Sequence, residues 1–275
     1  MNQKISIITP CFNSERYIKE TVLSVINQSA VLSGRIELEY IICDGQSCDN
    51  TLSIIQSLSH PAIKLISEPD TGMYDALSKG LKHASGDIIA YINAGDYYSL
   101  CAFDVIVNVF ENKKAQWLTG YNFFYNDRNQ VVEVTLPFKY RKRLFDCGMY
   151  GKLLPNVQQE STFWSAELNN SVDCKALSNF KYAGDYYLWL QFAQKAELKI
   201  VKSYLGGFKF HSGQLSSQYA DRYLDEVANM VREPDAYEVA LAKIDRLLWA
   251  APFKIKYHFN SDGFLVFNEE KDGWA

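Results

Sequence analysis

No apolar run in these 275 residues approaches the roughly 18 needed to cross a bilayer, which argues against an integral membrane protein. Met1-Asn2-Gln3-Lys4 leads straight into Ile5-Ser6-Ile7-Ile8. That start lacks a signal peptide's long apolar region and small-residue cleavage site, so a cytoplasmic location is expected. A basic excess is missing too. The 28 Lys+Arg against 32 Asp+Glu leave a formal charge of −4, which argues against a nucleic-acid partner. The six cysteines, at 11, 43, 48, 101, 147 and 174, form no Cys-x-x-Cys pair. Zinc-ribbon and redox spacings are thereby absent, and reduced, mostly buried thiols are expected. There is no internal repeat, low-complexity tract or Pro/Gly/Ser linker. With 48% hydrophobic and 22% charged residues the chain is not disordered, and its length suits one enzyme-sized unit with a sizeable core. What is plentiful is aromatic: 18 Tyr, 16 Phe and 5 Trp, or 14% of the chain. Aromatic faces suit both cores and flat ligands such as nucleobases and sugar rings.

The first hundred residues alternate strand and helix signals. Short β-branched runs at 5–10, 39–43, 63–66 and 87–92 are separated by helix-like segments at 14–26, 51–58 and 73–84, with Ser14 a candidate N-cap for the first. This alternation predicts an open, largely parallel α/β sheet. Ligands of such sheets bind beyond the carboxyl ends of the strands, where Asp44, Asp70 and Asp96 all fall. The second half predicts a helix near 100–111, strands at 117–125 and 131–136, and helices at 185–195, 221–230 and 236–250. One catalytic α/β domain followed by a helical C-terminal appendage is the simplest organisation.

Several loops carry candidate chemistry. Thr9-Pro10-Cys11-Phe12-Asn13 reads either as an ordinary strand-to-helix turn or as a wall for a flat ring. Asp44-Gly45 is a turn-forming pair, and Asp44 is also a carboxylate able to accept the imide N–H of uracil or thymine. Asp75 and Lys79 stand four apart on one helix face, as a surface salt bridge or as the side of a polar pocket. In Asn93-Ala94-Gly95-Asp96 the acid leaves a buried strand through small residues, a placement that suits a hard divalent cation such as Mg²⁺ or Mn²⁺. Such a cation would neutralise charge building on a diphosphate leaving group.

Taken in order, these elements resemble family 2 glycosyltransferases of the GT-A fold, in the branch associated with bacterial surface polysaccharides such as O-antigen. The resemblance rests on Thr9-Pro10-x-Phe12-Asn13, Asp44-Gly45-x-Ser47-x-Asp49, Pro69-Asp70-x-Gly72-x-Tyr74-Asp75-Ala76, Gly86-Asp87 and Asn93-Ala94-Gly95-Asp96. It implies a GT-A domain over 1–216, with a nucleotide-sugar half at 1–99 and an acceptor half at 100–216, followed by the appendage at 217–275. It also implies that Asp44 binds the nucleobase, with Pro10 and Phe12 lining its slot, and that Asp70, Asp75, Lys79 and Asn93 line the donor pocket. Asp96 would be the surviving carboxylate of an Asp-x-Asp element holding Mn²⁺ or Mg²⁺, with His211 completing that site. Asp185, in Ala183-Gly184-Asp185-Tyr186-Tyr187, falls on the general base of an inverting transfer, although an aspartate there also serves as a helix cap. Tyr187 stands where relatives often carry a second acid. Gln159, Trp164 and Tyr186 would face the acceptor.

The implied reaction moves a sugar from a nucleoside-diphosphate sugar, UDP first and dTDP second, to a hydroxyl of a glycan or polyprenyl-linked glycan. Two rival readings are a sugar nucleotidyltransferase, which would need a Gly-rich basic phosphate loop that Ile5–Ser14 lacks, and a degenerate transferase that only binds glycan. A peripheral contact with the inner face of the cytoplasmic membrane is expected through Lys139-Tyr140-Arg141-Lys142-Arg143 and the aromatic-basic stretch Leu247–Lys256.

Overall fold

A computed structural model describes residues 3–112, 115–210 and 219–275. The first apolar run forms β1 (Lys4–Cys11), buried at every position but its first. It is followed by β2 (Glu37–Asp44), β3 (Ile63–Ser67) and β4 (Ile88–Tyr91), with helices Ile18–Ile26, Thr51–Ser57 and Met73–His83 in the crossovers. The four strands are mutually parallel. Strands covered by helices on both faces need continuous rather than alternating apolar sequence, which is what these runs supply.

The second half contributes β5 (Tyr97–Tyr98), β6 (Trp117–Thr119), β7 (Asn122–Tyr125), β8 (Val131–Thr135), β9 (Phe163–Ser165), β10 (Lys199–Val201), β11 (Gly206–Lys209) and β12 (Phe264–Leu265). The large sheet runs β12-β10-β6-β9-β4-β1-β2-β3, and β9 alone opposes its neighbours. A second sheet, β5-β11-β7-β8, stands beside it. The stretch expected as one strand at 117–125 is therefore two, one in each sheet. The break falls at Gly120, where a Cβ would come within 2.5 Å of the Ser203 carbonyl oxygen. The first helix also begins later than expected. Ser14 offers its carbonyl, not its hydroxyl, to the N–H groups of Tyr17 and Ile18, each at 2.9 Å.

The C-terminal segment is mostly helical, as expected, with helices Ala220–Met230, Ala236–Trp249 and Phe253–Phe259. It is less separate than the word appendage implies, because β12 adds an edge strand to the large sheet and Val227, Ala242, Trp249 and Phe264 are buried in the common core. Only two residues of the short apolar run Phe264-Leu265-Val266-Phe267 join the sheet. The basic cluster at 139–143 has a different partner from the expected head groups. Arg141 grips Asp245 with two hydrogen bonds, at 2.7 and 3.0 Å, and Arg143 Nε meets Glu238 at 2.7 Å. Both acids belong to the helix Ala236–Trp249 and are fully buried, so these arginines clamp that helix to the domain. Among the described residues no helix is long and apolar enough to cross a membrane.

Candidate active site

In-register pairing sets Cys11, Asp44 and Ser67 side by side at the carboxyl ends of β1, β2 and β3. Asp44 is buried, and its Oδ2 accepts the Ser47 N–H at 3.1 Å and the Ser67 hydroxyl at 2.7 Å, while Oδ1 accepts the Ser47 hydroxyl at 2.5 Å. The Cys11 thiol adds a long fourth contact to Oδ1 at 3.9 Å, and of the four it is the one an incoming donor would displace most readily. The turn holding Asp44 is stitched to the loop after β1. Asn13 N–H donates to Ser47 Oγ at 2.8 Å, Cys48 N–H to Asn13 Oδ1 at 2.9 Å, and Glu15 N–H to Asp49 Oδ2 at 3.0 Å. Asn13, Ser47 and Asp49 thus build the rim. Pro10 is buried within β1, whereas Phe12 stands 58% exposed on the rim.

Asp70 packs its carboxylate against Gly45, where a Cβ would collide with it, and accepts the Gly72 N–H at 2.8 Å. Two motifs, one from the β2–β3 crossover and one from the β3–β4 crossover, thereby meet. Asp75 accepts the Thr71 N–H at 3.0 Å. The expected Asp75–Lys79 pair is loose at 3.8 Å. Lys79 is held more closely by the Pro69 carbonyl at 2.6 Å and Glu68 at 3.1 Å, so it straps the loop more than it serves Asp75.

Tertiary folding also joins Tyr74 to Asp185 across 111 residues of sequence, with Tyr74 Oη 3.3 Å from Asp185 Oδ1. Gly184 permits the approach, since a Cβ there would lie 2.5 Å from the Tyr74 ring. Asp185 is partly buried at the start of the helix Gly184–Ala193, and its Oδ1 accepts the Tyr186 N–H at 2.8 Å. Burial raises its pKa to about 6, with hydrogen bonds from Tyr186, Tyr74 and Tyr223 opposing the rise. The segment before it is fixed from the C-terminal part. Glu226 accepts the N–H groups of Lys181, Tyr182 and Ala183 at 2.8 to 2.9 Å.

Beyond β4 the chain turns through Gly95, whose φ of +119° is open to glycine and strained for other residues. That turn lets Gly95 N–H reach Thr21 Oγ1 at 2.9 Å, while the same hydroxyl donates to the Asp96 carbonyl at 2.9 Å. Asp96 is buried, its Oδ1 accepts the Lys209 N–H at 2.9 Å, and burial raises its pKa. Glu160 is also buried and lies close enough for the two charges to repel, which adds to the burial that lifts its own pKa well above the usual carboxylate range.

Residues 6–154 match the family described as Glycosyl transferase family 2. The chain belongs to that family. Among its relatives, the UDP-Glc:alpha-D-GlcNAc-diphosphoundecaprenol beta-1,3-glucosyltransferase WfgD of Escherichia coli is 26% identical over 257 residues, covering 92% of this chain and 94% of that protein. Chondroitin synthase of Pasteurella multocida is 31% identical over 112 residues, 40% of this chain but 11% of that protein. Two solved structures share the GT-A fold. Residues 1–349 of S. aureus TarS with UDP-GlcNAc superpose with a TM-score of 0.62 at 14% identity, covering 94% of this chain and 79% of that one. The Pyrobaculum calidifontis mannosyltransferase PcManGT with GDP-Man and Mn²⁺ gives 0.57 at 14% identity, covering 95% and 79%.

For a family 2 transferase the remaining question of geometry is the cation. Among the described residues no three of His, Cys, Asp and Glu converge as a protein-only metal cage, and His211 lies outside the described residues. Asp96 Oδ2 accepts no hydrogen bond from the described residues, which leaves one hard anionic oxygen. That fits a cation held by one carboxylate and completed by substrate phosphates.

On the acceptor side the structure departs from expectation at three residues. Trp164 is fully buried, its ring packed among Tyr91, Trp189 and Phe192, so neither face is open to a sugar. Tyr186 is buried as well, its hydroxyl donating to the Phe145 carbonyl at 2.8 Å. Gln159 turns inward, bonding the Tyr91 carbonyl and accepting Asn93 Nδ2 at 3.1 Å. It thus braces the Asn93–Asp96 turn, in which Asn93 Oδ1 is buried without a partner among the described residues. The buried, adjacent Glu160 and the Lys209 that caps Asp96 were not singled out from sequence. The only signal for either is a charged residue within an aromatic or polar run.

Proposed function

We propose that this protein is an inverting glycosyltransferase that moves a sugar from a nucleoside-diphosphate sugar to a hydroxyl of a lipid-linked glycan during bacterial surface-polysaccharide synthesis. The observation that carries this reading is Asp185, a partly buried carboxylate with a pKa near 6, held against the nucleotide-half residue Tyr74. Near neutral pH such a group is mostly ionised, yet basic enough to take a proton as the acceptor oxygen attacks the anomeric carbon. Asp44, with Phe12 beside it, receives the nucleobase. UDP is favoured and dTDP second, because either pyrimidine imide presents an N–H that Asp44 would accept in place of the long contact from the Cys11 thiol. Asp70, Asp75, Lys79 and Asn93 line the donor pocket. Asp96, with His211, would hold Mn²⁺ or Mg²⁺, which when bound would supply charge neutralisation at the leaving diphosphate. The near full-length match to an enzyme named for a diphosphoundecaprenol-linked acceptor supports the lipid-linked class, and with it a site of action at the inner face of the cytoplasmic membrane.

The test mixes the purified protein with UDP- and dTDP-sugars, Mn²⁺ or Mg²⁺, and lipid-linked or synthetic acceptors, reading nucleotide release together with product mass. Cation-dependent transfer to an acceptor with inversion at the anomeric carbon is expected. Glycan binding without donor binding or turnover would leave only a non-catalytic relative.

A further inference from the structure

Between Ala236 and Phe259 the chain carries two acids, Glu238 and Asp245, and both are fully buried on arginines of the domain. The cations of the same segment are unspent. Lys243, Arg246 and Lys254 are exposed and form no ion pair among the described residues. Ala240, Lys243, Ile244 and Leu247 follow an i, i+3, i+4, i+7 pattern on the side of their helix opposite the buried Ala242, Asp245 and Trp249. Leu247 is 75% exposed, and Ile244, Ile255 and Phe259 are also open to solvent. A face that combines large apolar side chains with cations and no accessible acid has the composition of an interfacial segment. Its apolar groups enter the acyl boundary while its cations meet anionic head groups.

A cavity of about 580 Å³ opens beside this face, lined by Lys152, Leu153, Leu154, Arg246, Trp249 and Lys256. The Lys256 ammonium is buried, with the Leu136 carbonyl at 2.6 Å as its partner and no carboxylate within ion-pair reach among the described residues. A buried cation without a counter-charge is costly. Nε1 of Trp249, another lining residue, is buried without an acceptor among the described residues. Three cations and an apolar lining suit the phosphate of an amphiphile.

We propose that this C-terminal face docks the protein onto an anionic phospholipid bilayer, with Ile244 and Leu247 entering the membrane and a lipid phosphate seated in the Lys152–Arg246–Lys256 cavity. The inference deepens the reading of a lipid-linked acceptor, which would be presented at the same surface. The two fail separately, because vesicle binding needs no sugar transfer and transfer to a synthetic soluble acceptor needs no vesicle.

The test is co-sedimentation of the full chain with phosphatidylcholine vesicles with and without phosphatidylglycerol. Binding is expected only with the anionic lipid and should fade as salt rises. The triple variant Lys243→Glu, Arg246→Glu, Lys254→Glu should weaken partitioning at least about 100-fold, since each cation near an anionic surface contributes roughly fivefold. Leu247→Asp should weaken it independently. Melting temperature and transfer to a soluble acceptor should be unchanged in both variants. Absence of wild-type binding to anionic vesicles, or undiminished binding by the triple variant, overturns the proposal. So does stabilisation by inorganic phosphate alone with no vesicle binding, which would assign the cavity to a free anion.

Discussion

At the scale of single residues the proposed chemistry turns on Asp185. Asp185→Asn keeps the shape and the hydrogen bonds to Oδ1 but removes the base, so kcat should fall by about 10²–10⁴-fold while donor binding, read by calorimetry, persists. Transfer at an undiminished rate would remove the assignment. The pH dependence follows from the pKa near 6. The group must be deprotonated to act, so kcat should decline as pH falls through about 6 and be level above it. Tyr74 stabilises the ionised form by donating to it, so Tyr74→Phe should move this acid limb to higher pH, read from a kcat–pH profile. Asp96→Ala should abolish the effect of Mn²⁺ on nucleotide binding, measured by titration in the absence of acceptor. The other side of the site is stiffer than the motif residues alone indicate. Asn13, Ser47 and Asp49 bond one another's loops, so the rim around Asp44 is preorganised before any donor arrives.

At the scale of elements, one helix matters beyond its packing. The helix Ala220–Met230 sends Glu226 to three consecutive N–H groups ahead of Asp185, those of Lys181 and Tyr182 just before the helix that carries Asp185 and that of its N-cap, Ala183. Glu226→Ala frees them, and the base should lose its fixed position. A drop in kcat on the order of 10- to 100-fold with little change in donor KM is expected from the cost of misplacing a reacting group, measured by steady-state kinetics. The clamp on the next helix is a stability device. Asp245→Ala would leave Arg141 facing a buried void in place of its carboxylate, and chemical denaturation should register a loss of about 3 kcal/mol. The β5-β11-β7-β8 sheet meets the site through Gly206, where any Cβ would strike the Glu160 carbonyl, and through Lys209 on Asp96.

At the scale of the molecule, residues 219–275 complete both the core and the site. They cover the domain with Val227, Ala242 and Trp249 and close the sheet edge with β12. A chain ending at 216 should therefore lose cooperative melting and expose apolar surface, whereas the full chain should unfold in one calorimetric transition. The aromatic richness is largely structural at this scale. Trp117, Trp164, Trp189 and Phe192 form one packed cluster behind the site, with the Trp117 and Trp189 rings stacked at 5.6 Å. Phe12, by contrast, remains on the rim.

Much of this was legible in the amino-acid order, because it is governed by local rules. The parallel α/β half follows from β-branched runs alternating with helical spacing. The acids at strand ends follow from the same periodicity, since a strand that ends in Asp-Gly leaves its carboxylate at the sheet's edge. What the sequence could not decide depends on contacts between distant segments. A tryptophan in a polar loop reads equally as a sugar platform or as core, and only the packing of β9 against β6 and β4 buries Trp164. A basic run reads as a membrane patch until the buried acids of a helix about one hundred residues later claim its two arginines. The pairing of Tyr74 with Asp185, the support from Glu226 and the juxtaposition of Asp96 with Glu160 are likewise long-range. Chain topology, not local propensity, brings such groups within bonding distance, and burial then shifts their protonation.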